Sequence, residues 1–473
     1  MINQILLLAY VTVILLLSWR LRQGTFSGFA LSDRNIATPA IIGVAYTAAY
    51  FSAASFLGGG GYGLIAGMPW VVFCAFFHVA FACLAWLMAG RIWAAAKEYD
   101  AKTVPQLLER RYGSPLGKLI LAAIMLVLYT VYLVPIFKGC ATLLQGLIGV
   151  TYLQGLILTV LIVAMYYAIG GLPGIIWIGF LQGVLMLGGA VLLYGSVLST
   201  AGAIEIWSRI PAYVTSMHGI DLPWQRTLGM AFSISLGLLA LPDLLIMVFS
   251  ARDRRVVRFA GIYGPVSIAV YSICIFSLGV LAYGVLSGEQ LGAFIKNPDS
   301  LVPFLARTYL PPGFDALVLL AAISAAMSTI SAIVLVTTTS LTSDILHYLR
   351  PDISDPTVLR LTRLVGVAII ITAAVSAISV PSQIVPLVSI SMGVIACCVF
   401  VPLVFGLYWW RGNSAGFVAS LLASFISIVI WNFYGNTLIH PVFVGLICGG
   451  MAYITGSLFT SGLGTPNPDT LEG

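Results

Sequence analysis

Long apolar segments recur along the chain, separated by short polar stretches. A helix needs about 20 apolar residues to cross the hydrocarbon core of a bilayer, and runs of that length predict about thirteen spans. They lie near residues 2–19, 36–66, 69–92, 117–147, 152–170, 174–198, 227–249, 257–286, 314–342, 358–379, 383–409, 414–433 and 439–460. The pattern predicts an all-α integral membrane protein.

Composition supports this class and excludes others. Of the 473 residues, 60% are hydrophobic and 8% are charged, whereas a soluble domain carries about 25% charged residues. Soluble enzymes and nucleic-acid-binding proteins are therefore excluded. No Walker motif GxxxxGK[ST] is present, which argues against ATP-driven transport. The seven cysteines lie in apolar runs without metal-ligand spacing, so we interpret them as packing residues.

The basic residues indicate how the chain crosses the membrane. With the N-terminus outside, 17 of the 22 Lys and Arg residues fall on the cytoplasmic side. The remaining five are Lys138, Arg209, Arg226, Lys296 and Arg307. Because positive charge accumulates in cytoplasmic loops, we expect a multi-pass plasma-membrane protein with its C-terminus in the cytoplasm.

Two apolar segments contain residues that interrupt a helix. Residues 45–61 end in four consecutive glycines and carry the hydroxyls of Ser52 and Ser55. In residues 238–243, Pro242 removes a hydrogen-bond donor. The two segments belong to the second and seventh predicted spans, a difference of five, as expected for corresponding helices of two inverted five-helix halves. Secondary transporters bind ions at such breaks, where backbone carbonyls become free. Close helix packing through small residues is the alternative.

A third segment, residues 321–332, is rich in small residues and hydroxyls. Ala325, Ser328 and Thr329 are adjacent or one helical turn apart, so one carbonyl and two hydroxyls converge. Oxygen ligands of this kind suit Na⁺, a hard cation. The alternative is that these hydroxyls bond to the preceding turn or join helices.

Intramembrane charge is scarce in the predicted spans. Asp243 is the only acidic residue that we place in the interior of one, and it lies beside Pro242. Ionisable residues at membrane depth are functional candidates, so we assign Asp243 a role in binding substrate, ion or proton. A structural role is the alternative. His78, in an aromatic stretch, is interpreted as a packing residue.

Four motifs, in order along nearly the whole chain, resemble the sodium/solute symporter family, in particular its monocarboxylate- and pantothenate-carrying branch. They are Ser52–Gly58, Gly170–Leu172 followed by Trp177 and Gln182, Ala325–Thr329, and Gly406–Gly416.

The resemblance implies a leucine-transporter-type 5+5 inverted repeat with one helix before the core and two after it. It divides the chain into residues 1–33, 34–410 and 411–473. It also implies a Na⁺ site formed by the carbonyls of Ala48, Phe51 and Ala325 and the hydroxyls of Ser328 and Thr329. Substrate would lie beside it, against Tyr50, Ser52, Ser55, Pro242 and Asp243.

The chain departs from the family pattern in two places. Trp177-Ile178-Gly179 and Ala332 replace oxygen-bearing residues of a second sodium site, which predicts one Na⁺ per cycle. Asp243 and Met247 stand where carriers of anions have His and Arg, which argues against an anionic substrate.

The predicted function is sodium-coupled import of a small organic solute, monocarboxylate- or vitamin-like. It involves no enzymatic reaction, no cofactor other than Na⁺, and no partner other than the solute and the bilayer. The sequence leaves the oligomeric state open, a monomer included. The alternatives are a proton-coupled transporter that uses Asp243 and a non-transporting solute sensor.

Overall fold

A computed structural model describes residues 2–31, 38–379, 384–435 and 438–460, and every regular element in these ranges is helical. The first half contains α1 Ile2–Arg20, α2 Phe26–Leu31, α3 Pro39–Tyr50, α4 Gly60–Ala66, α5 Met68–Glu98, α6 Val104–Tyr112, α7 Pro115–Ile148, α8 Tyr152–Ser199, α9 Ala203–Arg209, α10 Ala212–Thr215 and α11 Trp224–Ala240. The second half contains α12 Pro242–Phe249, α13 Arg254–Phe276, α14 Leu278–Val285, α15 Gly288–Lys296, α16 Leu301–Tyr309, α17 Phe314–Thr339, α18 His347–Leu349, α19 Asp355–Ser376, α20 Ile384–Tyr408, α21 Ser414–Tyr434 and α22 Pro441–Phe459. Ala54–Gly59 and Ser340–Leu346 are π-helical, and Pro298–Ser300 is a 3₁₀ turn.

Eleven stretches in the described ranges are long and apolar enough to cross a membrane, or twelve if a bent pair counts as one span. That pair, α3 with the segment Ala54–Ala66, is bent by 71°. One stretch, α8, has 48 residues, or about 70 Å at 1.5 Å per residue, more than twice the thickness of a bilayer core. The predicted number of about thirteen spans stays a prediction.

The break within α8 lies at Gly171, whose φ of 56° and ψ of −159° are not helical. A Cβ there would lie 2.5 Å from the carbonyl oxygen of Phe29 in α2. Glycine is therefore required both by the backbone conformation and by the close approach of another segment. This turn separates residues 152–170 from the rest of α8, close to the boundary predicted from the sequence.

Burial distinguishes a central group of helices from peripheral ones. We compare the buried share of the most apolar 18 residues in each stretch. It is 94% in the stretch that contains α17 and 89% in the stretch formed by α11 and α12. It is only 22% in α1 and 28% in α22. The helix α1 packs on α8, while α21 and α22 pack mainly on each other and on α20. The interrupted helices and α17 thus form the centre of the molecule.

Some predicted features lie outside the described residues. They are Arg34, the boundary between residues 33 and 34, and the C-terminal tail from residue 465. The division of the chain into three regions stays a prediction.

Candidate functional site

The first interruption frees two backbone carbonyls. In a continuous helix the Ser52 N–H would bond the Ala48 carbonyl, and the Ser55 N–H would bond the Phe51 carbonyl. Here α3 ends at Tyr50, Phe51 is extended (φ −83°, ψ 128°), the Ser52 N–H donates to Ser55 Oγ at 2.9 Å, and the Ser55 N–H donates to the Ser52 carbonyl at 3.1 Å. Local bonds among the two serines thus replace the helical ladder.

Two hydroxyls of α17 occupy the freed acceptors. Ser328 Oγ donates to the Ala48 carbonyl at 2.6 Å and approaches the Ala325 carbonyl at 2.9 Å. Thr329 Oγ1 lies 3.2 Å from the Phe51 carbonyl and 3.1 Å from that of Ala325. The structure therefore brings all five predicted sodium ligands together at one point between α3 and α17.

The chemistry of this cluster fits a monovalent hard cation. Three carbonyl and two hydroxyl oxygens converge, and all five residues are buried. No carboxylate bonds to any of the five within the described ranges. Neutral oxygen ligands suit Na⁺ without a full counter-charge. Ala332, the position at which a further hydroxyl is missing, is also buried.

The second interruption lies against the first. Leu241 is extended (φ −68°, ψ 124°), and Pro242 begins α12. Because proline has no N–H, the Leu238 carbonyl loses its helical donor, and the Tyr46 hydroxyl of α3 donates to it instead. Asp243 is 1% exposed and accepts a hydrogen bond of 2.5 Å from the Tyr129 hydroxyl of α7.

A small cavity lies beside the oxygen cluster, and Phe51 belongs to both. Its volume of about 30 Å³ holds one or two water molecules. Three of the predicted substrate residues, Tyr50, Ser52 and Ser55, line it, while Pro242 and Asp243 are not among its lining residues. The other lining residues are Phe51, Ala54, Gly59, Trp70, His78, Tyr132, Ile234, Phe276, Val385, Val388 and Met392.

His78 brings an unused polar atom to this cavity. Its Nδ1 lies 2.6 Å from the Cys74 carbonyl, and since a carbonyl only accepts, Nδ1 carries the proton. Nε2 is buried and has no hydrogen-bond partner in the described part of the chain. In this tautomer Nε2 is a buried acceptor on a residue that lines the cavity, a polar feature that the interpretation of His78 as a packing residue does not include.

A second buried carboxylate, Asp344, lies in the π-helical segment Ser340–Leu346 that follows α17. The two segments belong to one apolar stretch that ends at Leu349. Asp344 accepts hydrogen bonds from Ser340, from Thr103 and from Gln106, at 2.7 to 3.0 Å. The predicted span ends at residue 342, two residues before Asp344, so the prediction that Asp243 is the only intramembrane acid stays a prediction. The π-helical segment that carries Asp344 contains neither proline nor glycine, the residues that marked the other interruptions in the sequence.

Helices that are interrupted at two central positions, with freed backbone carbonyls beside the breaks, are the architecture of a secondary membrane transporter. A solved structure, the substrate-bound outward-open state of a Na⁺-coupled sialic acid symporter, matches this chain with a TM-score of 0.84 at 19% identity over 98% of both chains. This likeness confirms the predicted leucine-transporter-type fold.

The chain belongs to the sodium:solute symporter family, whose model matches residues 29–424. The sodium/pantothenate symporter of Escherichia coli (strain K12) is 27% identical over 96% of this chain and 95% of its own length. A sodium/proline symporter of Staphylococcus aureus is 24% identical over 92% and 87%. These findings confirm a multi-pass plasma-membrane transporter with sodium as the coupling ion, and not an enzyme.

Proposed function

We propose that this protein imports a small organic solute together with one Na⁺ per cycle. The observation that carries the proposal is the meeting of the two freed carbonyls, of Ala48 and Phe51, with the hydroxyls of Ser328 and Thr329. Together with the Ala325 carbonyl, these groups would hold the ion.

The position of the cluster supports coupling between ion and solute. Na⁺ bound there would join α3 to α17 and fix the backbone from Phe51 to Ser52, which also lines the cavity. Binding of the ion would therefore order the substrate site. One charge moved down 100 mV supplies about 2.3 kcal/mol, enough for tenfold or greater accumulation of solute.

The stoichiometry of one Na⁺ follows from the residues that would build a second site. Gly179 has no side chain, and Ala332 brings a methyl group in place of a hydroxyl. Neither residue contributes a side-chain oxygen, so a second ion would lack two ligands.

The cavity lining favours a particular kind of solute. No charged side chain is among the lining residues, so a carboxylate on the solute would lack a cationic partner there. His78 Nε2 is an acceptor without a donor in the described ranges, and Ser52 and Ser55 line the same cavity. We therefore favour a small vitamin-like solute without net charge that bears a hydroxyl or N–H donor over a monocarboxylate anion.

The orientation with the N-terminus outside also belongs to this proposal. It rests on the distribution of basic residues, and reporter fusions at loops on either side would test it. The division into residues 1–33, 34–410 and 411–473, with two helices after the core, is supported by the packing of α21 and α22 mainly on each other.

The experiment is uptake into proteoliposomes with NaCl outside, against KCl at equal ionic strength. Candidates are radiolabelled neutral and anionic solutes of the vitamin and monocarboxylate classes. We expect uptake that requires Na⁺ and is lost in Thr329→Ala. Uptake that persists in KCl, follows a pH gradient and is lost in Asp243→Asn would overturn sodium coupling in favour of protons. Binding of solute without flux would instead support the sensor.

A further inference from the structure

A groove on the outer surface of the helix bundle combines exposed apolar residues with a cluster of arginines. It lies between α5 and α13 and has a volume of about 1040 Å³. Its apolar wall contains Leu87, which is 79% exposed, and Phe259. Arg254, Arg255 and Arg258 line the end where α13 begins.

The three arginines have no acidic partner in the part of the chain that the structure describes. The neighbouring carboxylate, Asp253, is already engaged by the Val256 N–H at 2.8 Å and by Arg252 at 3.0 Å. The hydrogen bond from the Val256 N–H lowers the pKa of Asp253, so this carboxylate is ionised and caps the first turn of α13. The groove therefore carries uncompensated positive charge.

The arginines do not stabilise the helix that carries them. They occupy the first turns of α13, where the helix dipole is positive and cations are unfavourable. An arrangement that is unfavourable locally becomes favourable when an anion lies among the guanidinium groups.

The shape of the groove selects a ligand with an apolar part. Its α5 wall runs from Cys83 to Gly90, about 10 Å along the helix axis. At Gly90 the wall has no side chain, and a Cβ built there would lie 3.9 Å from Arg254 Nε, so the backbone of α5 borders the arginines at this end. A phosphate alone would use the arginines and leave the apolar wall uncovered, whereas a phospholipid would use both.

We propose that this groove binds an anionic phospholipid, with its phosphate among Arg254, Arg255 and Arg258 and an acyl chain along Leu87 and Phe259. Basic pockets between membrane helices are suited to such headgroups. The basic residues predict that this end of the helices faces the cytoplasm, so the lipid would come from the inner leaflet.

Two cysteines provide a measurement that reports the location of the lipid. Cys83 is an exposed free thiol on the groove wall, while Cys448 in α22 is half-buried and does not line the groove. The protein in detergent is treated with a maleimide, with cardiolipin or phosphatidylglycerol added, and the labelled peptides are quantified. We expect the anionic lipids to slow labelling of Cys83 and to leave Cys448 unchanged.

Charge variants test the role of the arginines. The lipid concentration that halves the labelling rate should rise about 100-fold in R254Q/R255Q/R258Q and about fivefold in R258Q alone. A control that removes the same charge elsewhere, K97Q/R360Q/R411Q, should behave like the wild type. The single variant keeps the test valid if the triple variant fails to fold, which thermal unfolding of the same sample would reveal.

Three results would overturn the proposal. Equal protection of Cys83 by phosphatidylcholine would mean that the groove takes any lipid. Protection by inorganic phosphate alone would mean an anion site without an acyl component. An equal loss of protection in the control variant would mean that overall charge, and not this groove, attracts the lipid.

Discussion

Removal of the Ser328 hydroxyl should weaken sodium binding by a predictable amount. Ser328 Oγ lies 2.6 Å from the Ala48 carbonyl and 2.9 Å from that of Ala325, so it is central to the oxygen cluster. A hydrogen bond or ligand contact to a charged group contributes about 1.5–3 kcal/mol, and its loss corresponds to a 10- to 100-fold weaker affinity.

Thermal and chemical unfolding in NaCl and in KCl at equal ionic strength measures this loss without a known substrate. At 100 times its dissociation constant, Na⁺ stabilises the wild type by about 2.7 kcal/mol. At the same concentration Ser328→Ala should retain about 0.4–1.4 kcal/mol. In KCl the variant should be less stable by about 1 kcal/mol, because a hydrogen bond between α17 and α3 is lost.

Ser331→Ala is the matched control. Ser331 is buried on the same helix, but its hydroxyl bonds back to the Ser328 carbonyl at 3.0 Å and contacts neither Ala48 nor Phe51. Its sodium-dependent stabilisation should equal that of the wild type. The reasoning is refuted if Ser328→Ala keeps the full stabilisation by Na⁺, or if Ser331→Ala loses it equally.

Three further changes test other parts of the structure. His78→Ala should raise the KM for solute about tenfold through loss of the Nε2 acceptor and leave stabilisation by Na⁺ unchanged. His78→Gln should restore part of the affinity for solute. An unchanged KM in uptake assays would mean that His78 serves in packing alone. Asp344→Asn should destabilise the protein by about 2–4 kcal/mol in chemical unfolding, since an amide cannot accept all the donors that surround the carboxylate; a stable variant contradicts this account. Gly171→Ala should lower the melting temperature markedly, through a strained φ and a clash with Phe29, whereas Gly174→Ala, where a Cβ has open space, should be neutral or stabilising.

The sequence was sufficient to predict both interrupted spans and the converging oxygens of α17. Proline and consecutive glycines mark positions where helical bonds fail, and they do so regardless of tertiary context. The hydroxyls of Ser328 and Thr329 were identifiable because their spacing puts them on one side of a helix. Their pairing with Ala48 and Phe51 needed the resemblance to a family, since spacing within one helix carries no information about its neighbour.

Other features required the three-dimensional structure. Asp344 lies in a π-helical continuation beyond the predicted span, and two of its donors, Thr103 and Gln106, lie at the start of α6, more than 200 residues earlier in the chain. His78 is a single histidine among aromatic residues, and no pattern in α5 shows that one of its nitrogens lacks a partner. The cavity combines residues from seven helical segments, which sequence spacing alone cannot align.

The hydrogen bonds between the serine and threonine hydroxyls of α17 and the carbonyls of the first break have a consequence for how tightly the ion is held. A cation needs the lone pairs of those hydroxyl oxygens, so both O–H bonds must rotate away from the carbonyls before five oxygens can face it. The protons of the site therefore compete with Na⁺ for the same acceptors. A carrier has to release its ion on the side where that ion is dilute. As the ion leaves the proposed site, the hydroxyls of Ser328 and Thr329 would donate again to the carbonyls of Ala48 and Phe51 and hold α17 against α3.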